Sequence, residues 1–163
     1  KLFLPIASML NIPMSNLSEG DSRSSEIVLD KFIIHPLICY ESAYPNLISQ
    51  KDLSKPEVIV VLSNDSWFGQ SLAPYQHLQI SQTRALEFNK YILRAANTGI
   101  SAVIDNHGNI KKTVELNQRG HLSEMFRVKT GKTPYSRFGD YPILVLIFAI
   151  MISALYLCKK NER

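Results

Sequence analysis

Apolar positions along the chain fall into several short runs and one long one. Residues 57–62, EVIVVL, form a β-branched run of the kind that fills a central strand buried on both faces. Residues 26–39 form a near-continuous apolar run interrupted at His35-Pro36. It predicts a buried strand ending near Cys39, with Pro36 implying a missing ladder bond or a bulge. Residues 43–52 predict a short helix with Pro45 in its first turn. A longer helix is predicted from about 73 to 89, with Pro74 near its start. Its apolar residues Tyr75, Leu78, Ala85, Leu86 and Phe88 lie on one side at helical spacing. Arg84 and Glu87 are spaced to pair on its surface. Residues 91–96 and 100–105 read as strands joined by Asn97-Thr98-Gly99, and Asn106-His107-Gly108-Asn109 reads as a hairpin turn. Residues 121–128 alternate moderately and predict one more strand. Residues 1–25 pass from apolar to polar, which predicts a short helix or irregular segment and then a surface loop.

The long run is Tyr141 to Cys158, YPILVLIFAIMISALYLC, which carries no charge. A membrane-spanning helix needs roughly 20 apolar residues, with about 17 as the lower limit. The alternatives are a buried core helix and a transmembrane helix. Aromatic residues at both ends and the stop at Lys159-Lys160 favour the second. The positive-inside rule then predicts a cytoplasmic tail, with the rest of the chain on the other face.

The chain's 163 residues, 45% hydrophobic, allow one domain with a real core. An ordinary charged fraction of 20% argues against wholesale disorder. The net charge of +4 does not point to nucleic acid, because the basic residues are scattered. The chain opens on KLFLPIASMLNIPM rather than Met, without a charged leader, and reads as starting inside a longer protein.

Cys39 and Cys158 are the only cysteines, and they lie in segments of very different character, so neither a disulfide framework nor a zinc spacing is visible. A lone cysteine is either a small buried hydrophobe or a reactive group. Cys39 sits in Leu37-Ile38-Cys39-Tyr40-Glu41-Ser42, at the predicted end of a buried strand and just before a helix. There a sulfur can face a pocket and backbone N–H groups can face an oxyanion. The loop after the strand 57–62 leaves the same kind of strand end and carries Asn64, Asp65, Trp67 and Phe68. Trp67, the single tryptophan, is either a core anchor or a wall of an apolar pocket, and Gly69 permits a tight backbone there.

Taken in order, ICYES, VIVVLSNDSWFG, PYQHLQISQTRALE and RAANTGISAVIDNHG resemble the carbon–nitrogen hydrolase (nitrilase) superfamily. More narrowly, they are similar to the C-terminal part of its bacterial apolipoprotein N-acyltransferase branch. The resemblance runs from about residue 30 to 110, and TPYSRFGD at 133–140 followed by an apolar helix extends it. It implies an α/β fold, a partial nitrilase-type α-β-β-α sandwich at 1–135, followed by a C-terminal transmembrane helix and basic tail at 136–163. It implies that Cys39 is the nucleophile, flanked by Tyr40 and Glu41. Glu41 is either a hydrogen-bonding support or a surface carboxylate. Asn64, Trp67 and Phe68 fall in the aromatic loop near the substrate. His77 falls in a Pro-x-Gln-His stretch and reads as structural rather than catalytic. Arg84, Glu87 and Asn97 read as fold-supporting.

The implied chemistry is acyl transfer through a cysteine thioester. The donor would be a phospholipid and the acceptor the N-terminal amine of a diacylglyceryl-cysteine on an apolipoprotein. The membrane is the expected setting and nucleic acid is not expected. No metal or organic cofactor is called for. The location would be the bacterial inner membrane, with the catalytic part on the periplasmic face. Nitrilase-type sites also use a glutamate base and a lysine from segments before the cysteine. Lys1, Glu19 and Glu26 lack those motifs, so this chain by itself is expected to hold an unactivated nucleophile. Two rival readings are a soluble nitrilase-type amidase and a truncated, non-catalytic, membrane-anchored piece. Packing of residues 141–158 into a core would favour the amidase.

Overall fold

The computed structural model describes residues 26–49 and 55–161; the predicted segment at 1–25 and the end of the predicted helix at 43–52 lie outside them. The elements in chain order begin with β1 (Ile27–Val28), β2 (Ile33–Ile38), a 3₁₀ turn (Cys39–Ala43), α1 (Asn46–Ser49) and β3 (Glu57–Asn64). A second 3₁₀ turn (Asp65–Phe68), α2 (Ala73–Phe88), β4 (Tyr91–Asn97), β5 (Ser101–Ile104) and β6 (Ile110–Val114) follow. The chain closes with α3 (Pro134–Phe138) and α4 (Tyr141–Asn161).

The strands form one six-stranded sheet in sequence order. β2, β3 and β4 run parallel, while β1, β5 and β6 add antiparallel edges. Parallel strands need crossovers, and α2 supplies the one from β3 to β4. Because β2, β3 and β4 point the same way, their carboxyl ends share one edge of the sheet. Register sets Ile38 beside Leu62, Leu62 beside Ala95 and Asn64 beside Asn97. Whatever follows each of these strands therefore meets at that edge.

One face of the sheet packs on α2. Leu37, Ile59, Val61, Ile92, Ala102 and Ile104 meet Leu78, Ala85 and Phe88 there, with Ile48 of α1 alongside. The opposite face is only partly covered, and Ile38 and Leu62 are exposed on it. Pro36 makes no bulge. Ile33 donates its N–H to Pro56 on the β3 side. Alternate residues point the same way, so the missing N–H of Pro36 falls on the far side, where β1 pairs no further than Ile34.

Two expectations change, and one strand goes unforeseen. The helix 73–88 buries Leu78, Ala85 and Phe88, but Tyr75 and Leu86 are exposed, and His77 and Ser81 are buried instead. Residues 121–128 are not a strand; a single bridge, Lys129 to Glu57, reaches the sheet. That segment is held by side chains: Phe126 packs on Phe32 and Tyr91, and Lys112 Nζ donates to the Ser123 carbonyl. The strand β6, IKKTV, gives no apolar signal because it is a largely exposed edge.

The C-terminal helix is long and apolar enough to cross a membrane. Its stretch Tyr141–Lys159 has a mean hydropathy of 2.4 and none of it is buried. The core packing of 141–158 that would favour a soluble amidase is therefore not found. α3 ties this helix to the domain. Tyr135 packs edge-on against Phe88 with ring centroids 5.9 Å apart, and the Thr133 hydroxyl donates to the Glu87 carbonyl.

Candidate active site

Cys39 is the first residue past β2, and its φ is +53°. This is the left-handed region, where a side chain with a β-carbon costs about 1–3 kcal/mol unless its surroundings hold it. Three contacts hold it. The Ile38 N–H donates to Glu41 Oε2 at 2.6 Å, closing the turn across the cysteine. The Ser42 hydroxyl donates to the Cys39 carbonyl at 3.2 Å, and His77 Nε2 lies 3.1 Å from the same oxygen. A carbonyl only accepts, so Nε2 carries a proton in this contact. The turn leaves the sulfur half-buried at the sheet edge.

Beneath the turn lies a buried polar network. Asp65, His77 and Arg94 are 2%, 3% and 3% exposed. Arg94 Nη2 donates to Asp65 Oδ2 at 2.7 Å, and Arg94 Nε donates to the Ile100 carbonyl at 3.1 Å. His77 Nδ1 lies 3.1 Å from Asp65 Oδ1 and 3.0 Å from Arg94 Nη2. A buried charge is tolerable only when paired and hydrogen-bonded, and here each partner supplies both. Burial holds the Arg94 guanidinium below its ordinary value, while Asp65 pulls it back up. Gly99 makes room for the network, since a Cβ there would sit 2.8 Å from both Cβ and Cγ of Asp65.

Ser63 joins the network to the sulfur. Its Oγ lies 2.5 Å from Asp65 Oδ1 and 3.5 Å from Cys39 Sγ. Among the described residues, Ser63 is the side chain that hydrogen-bonds the sulfur, and no carboxylate does so.

The structure brings Cys39, Glu41 and His77 together at one turn. Asn64 caps the next turn by accepting from the Ser66 N–H at 3.3 Å, and Asn97 Nδ2 reaches it at 3.5 Å. Tyr40 is exposed, with its ring 6.3 Å from that of His77. Trp67 is no core anchor: it is 88% exposed, and Phe68 beside it is also exposed. Arg84 pairs with Glu87 at 2.8 Å, but the two side chains are only 12% and 18% exposed, so the pair is largely buried rather than on the helix surface. Sequence reading passes over Ser42, Ser63 and Arg94 and leaves Asp65 without a role. The available signal is Arg94, which shares the inward phase of Ile92 in β4.

Two cavities lie away from the sulfur. One of about 390 Å³ sits at the foot of α4 between Pro45, Asn46, Arg137, Asp140 and Leu144. The other, about 500 Å³, lies between the sheet and residues 120–126. Neither includes Cys39. No metal-ligating group of three His, Cys, Asp or Glu occurs among the described residues.

The sequence profile described as Carbon-nitrogen hydrolase matches residues 8–125. Curated relatives called apolipoprotein N-acyltransferase match almost the whole chain. The protein of Photobacterium profundum is 34% identical over 99% of this chain and 32% of its own length. That of Coxiella burnetii is 42% identical over 87% of this chain and 29% of its own length. The chain thus spans about a third of these relatives. Among solved structures, Nit3 of Saccharomyces cerevisiae, a member of branch 10 of the nitrilase superfamily, aligns with a TM-score of 0.55. The alignment has 19% identity and covers 65% of this chain and 41% of that one, a likeness of fold.

Proposed function

The chain belongs to the carbon–nitrogen hydrolase family, and from this we propose that it is the nucleophile-bearing part of a membrane-embedded apolipoprotein N-acyltransferase. The observation that carries the reading is a pairing within one chain. A cysteine held at φ +53° on a parallel strand end stands in the same chain as an unburied apolar helix of membrane-spanning length. A soluble amidase has no use for the second feature.

In this reading the Cys39 thiolate attacks the ester carbonyl of a phospholipid. The tetrahedral intermediate collapses, the ester C–O bond breaks, and the lysophospholipid leaves as an alcohol after taking a proton. The acyl chain stays on sulfur as a thioester. The amine of a diacylglyceryl-cysteine then attacks that carbonyl and loses a proton, forming the amide and expelling the thiolate. A free thiol is only a few per cent ionised at neutral pH, so a base must activate it. By family resemblance that base is a glutamate, with a lysine near the oxyanion, both from segments that precede the cysteine. Neither motif is recognisable in this chain, so these residues alone would hold the nucleophile without its activation.

The other residues take supporting parts. Glu41 closes the cysteine turn, and His77 positions the Cys39 carbonyl. Asn64 shapes the adjacent turn. Tyr40, Trp67 and Phe68 offer apolar surface at the site's rim to an acyl chain. The hydrolase-like part ends near residue 135, and the membrane part with its basic tail occupies 136–163. The tail would lie in the cytoplasm and the site on the periplasmic face of the bacterial inner membrane.

The test uses the full-length polypeptide containing this segment, reconstituted with phospholipid. Mass spectrometry should find one fatty acyl group on Cys39, and a Cys39→Ala variant should lose transfer. Absence of the adduct, or transfer by the alanine variant, would overturn the reading.

A further inference from the structure

Ser63 lies near the end of β3, one strand over from Cys39, and its hydroxyl stands between two acceptors. Asp65 Oδ1 lies 2.5 Å away and Cys39 Sγ 3.5 Å away. A hydroxyl has one proton and two lone pairs, so it donates to only one of them at a time. With the proton on the Asp65 side, the oxygen presents lone pairs to the sulfur, and a Cys39 thiol can donate to it. Once the thiol is ionised the sulfur becomes a second charged acceptor for that proton, competing with an Asp65 carboxylate whose charge Arg94 already offsets.

Asp65 can release the hydroxyl without being orphaned. Arg94 Nη2 stays on its other oxygen at 2.7 Å. Both side chains are buried, so the reference point for the hydroxyl does not move. We propose that Ser63 is a positioning residue for the nucleophile, its single proton turning from Asp65 to Cys39 sulfur when the thiol ionises. The inference deepens the acyl-transfer site proposed above and rests on Cys39 being its nucleophile. It adds a thiolate-holding donor from this chain to whatever base removes the proton.

The test reads the thiol directly. The full chain in detergent is treated with iodoacetamide at fixed neutral pH, and the adduct on Cys39 is resolved from that on Cys158 by peptide mass. Losing one hydrogen bond to a charged sulfur lowers the thiolate fraction, and the rise in intrinsic nucleophilicity returns part of the rate. The net expectation for Ser63→Ala is an alkylation rate about three- to fivefold slower. Ser63→Thr keeps the hydroxyl and should restore the rate to within about twofold. Circular dichroism confirms that both variants are folded. An alanine variant as fast as the wild type, or a threonine variant as slow as alanine, would overturn the inference. If alkylation depends on Ser63 while no acyl adduct forms on Cys39, the acyl-transfer reading fails and the role of Ser63 stands.

Discussion

His77 Nε2, on helix α2, lies 3.1 Å from the carbonyl oxygen of Cys39, in the turn after β2. The backbone of the cysteine turn is thus held by a side chain from a distant element rather than by its neighbours alone. The same ring faces Asp65 through Nδ1, so one residue joins the turn to the buried ion pair.

Replacing His77 with alanine should therefore act on stability and on the cysteine together. The buried Asp65–Arg94 pair loses a neighbour, and the Cys39 carbonyl loses one of its two donors. We expect a loss of about 2–3 kcal/mol, seen as a lower urea midpoint. The alkylation rate of Cys39 should change while that of Cys158 does not. A variant as stable as the wild type would show that the ring carries no such weight.

Gly99→Ala should be costly for a steric reason. The new methyl would lie 2.8 Å from two Asp65 carbons and closer still to Oδ2, in a buried place with no room to yield. Overpacking of this kind typically costs about 1–3 kcal/mol. The thermal midpoint should fall by several degrees, and an unchanged midpoint would contradict the packing described.

At the far end of the sheet, Glu57 and Lys90 are fully buried with Nζ 3.6 Å from Oε2, and Nζ also donates to the Lys129 carbonyl at 2.8 Å. Burial lowers the Lys90 ammonium from its ordinary value, and Glu57 opposes that. Removing Lys90 leaves Glu57 facing the His35 imidazole, whose Nε2 lies 3.3 Å from the same oxygen, so Lys90→Met alone should cost about 3 kcal/mol. Combining it with Glu57→Gln should cost clearly less than the sum of the two single changes. A double-mutant cycle checks this, and additive costs would refute the coupling.

Stability should also carry a pH signature from Glu87. Burial raises its carboxyl above 4.5, Arg84 pulls it down, and Asp140 adds to the rise. A raised native value means that the folded state binds the proton more tightly than the unfolded state does. The contribution is then fully present below pH 4.5 and is lost as pH climbs through the native value. Glu87→Gln mimics the protonated form and should flatten this decline. Thermal midpoints of the two proteins should converge near pH 4.5 and separate above it, with the variant higher. Parallel curves would rule the effect out.

Trp67 gives an optical test of the rim. It is the single tryptophan and is 88% exposed. Acrylamide in the aqueous phase should quench it freely when the chain is held in small detergent micelles. Quenching should fall once the chain sits in phospholipid vesicles with its rim against the acyl region. Equal quenching in both would place the loop away from lipid.

Much of this arrangement is legible in the sequence because it follows from apolar patterning. The runs at 26–39, 57–62 and 91–96 correspond to β2, β3 and β4, and the helix expected from about 73 to 89 forms within a residue or two of those bounds. What escapes is polar. Ser81 and His77 are buried in α2 because their polar atoms are satisfied, which no hydrophobic period records. Arg94 reads as an ordinary strand cation until register sets it beside Val61 and the fold delivers Asp65 to it. The edge strand β6 is largely exposed and carries Lys111 and Lys112 among its five residues, and the alternation at 121–128 reflects packing of Phe126 rather than a ladder.

The junction at α3 has a mechanical consequence. Tyr135 and Thr133 fasten α3 to α2, and only Gly139 and Asp140 separate α3 from α4. Two extended residues span about 7 Å of chain. When α4 lies in a bilayer, the domain is therefore on a short leash and cannot bob freely above the surface. Under the acyl-transfer reading proposed above, lipid substrates would then reach Cys39 by drifting sideways in the leaflet, at a depth set by the leash.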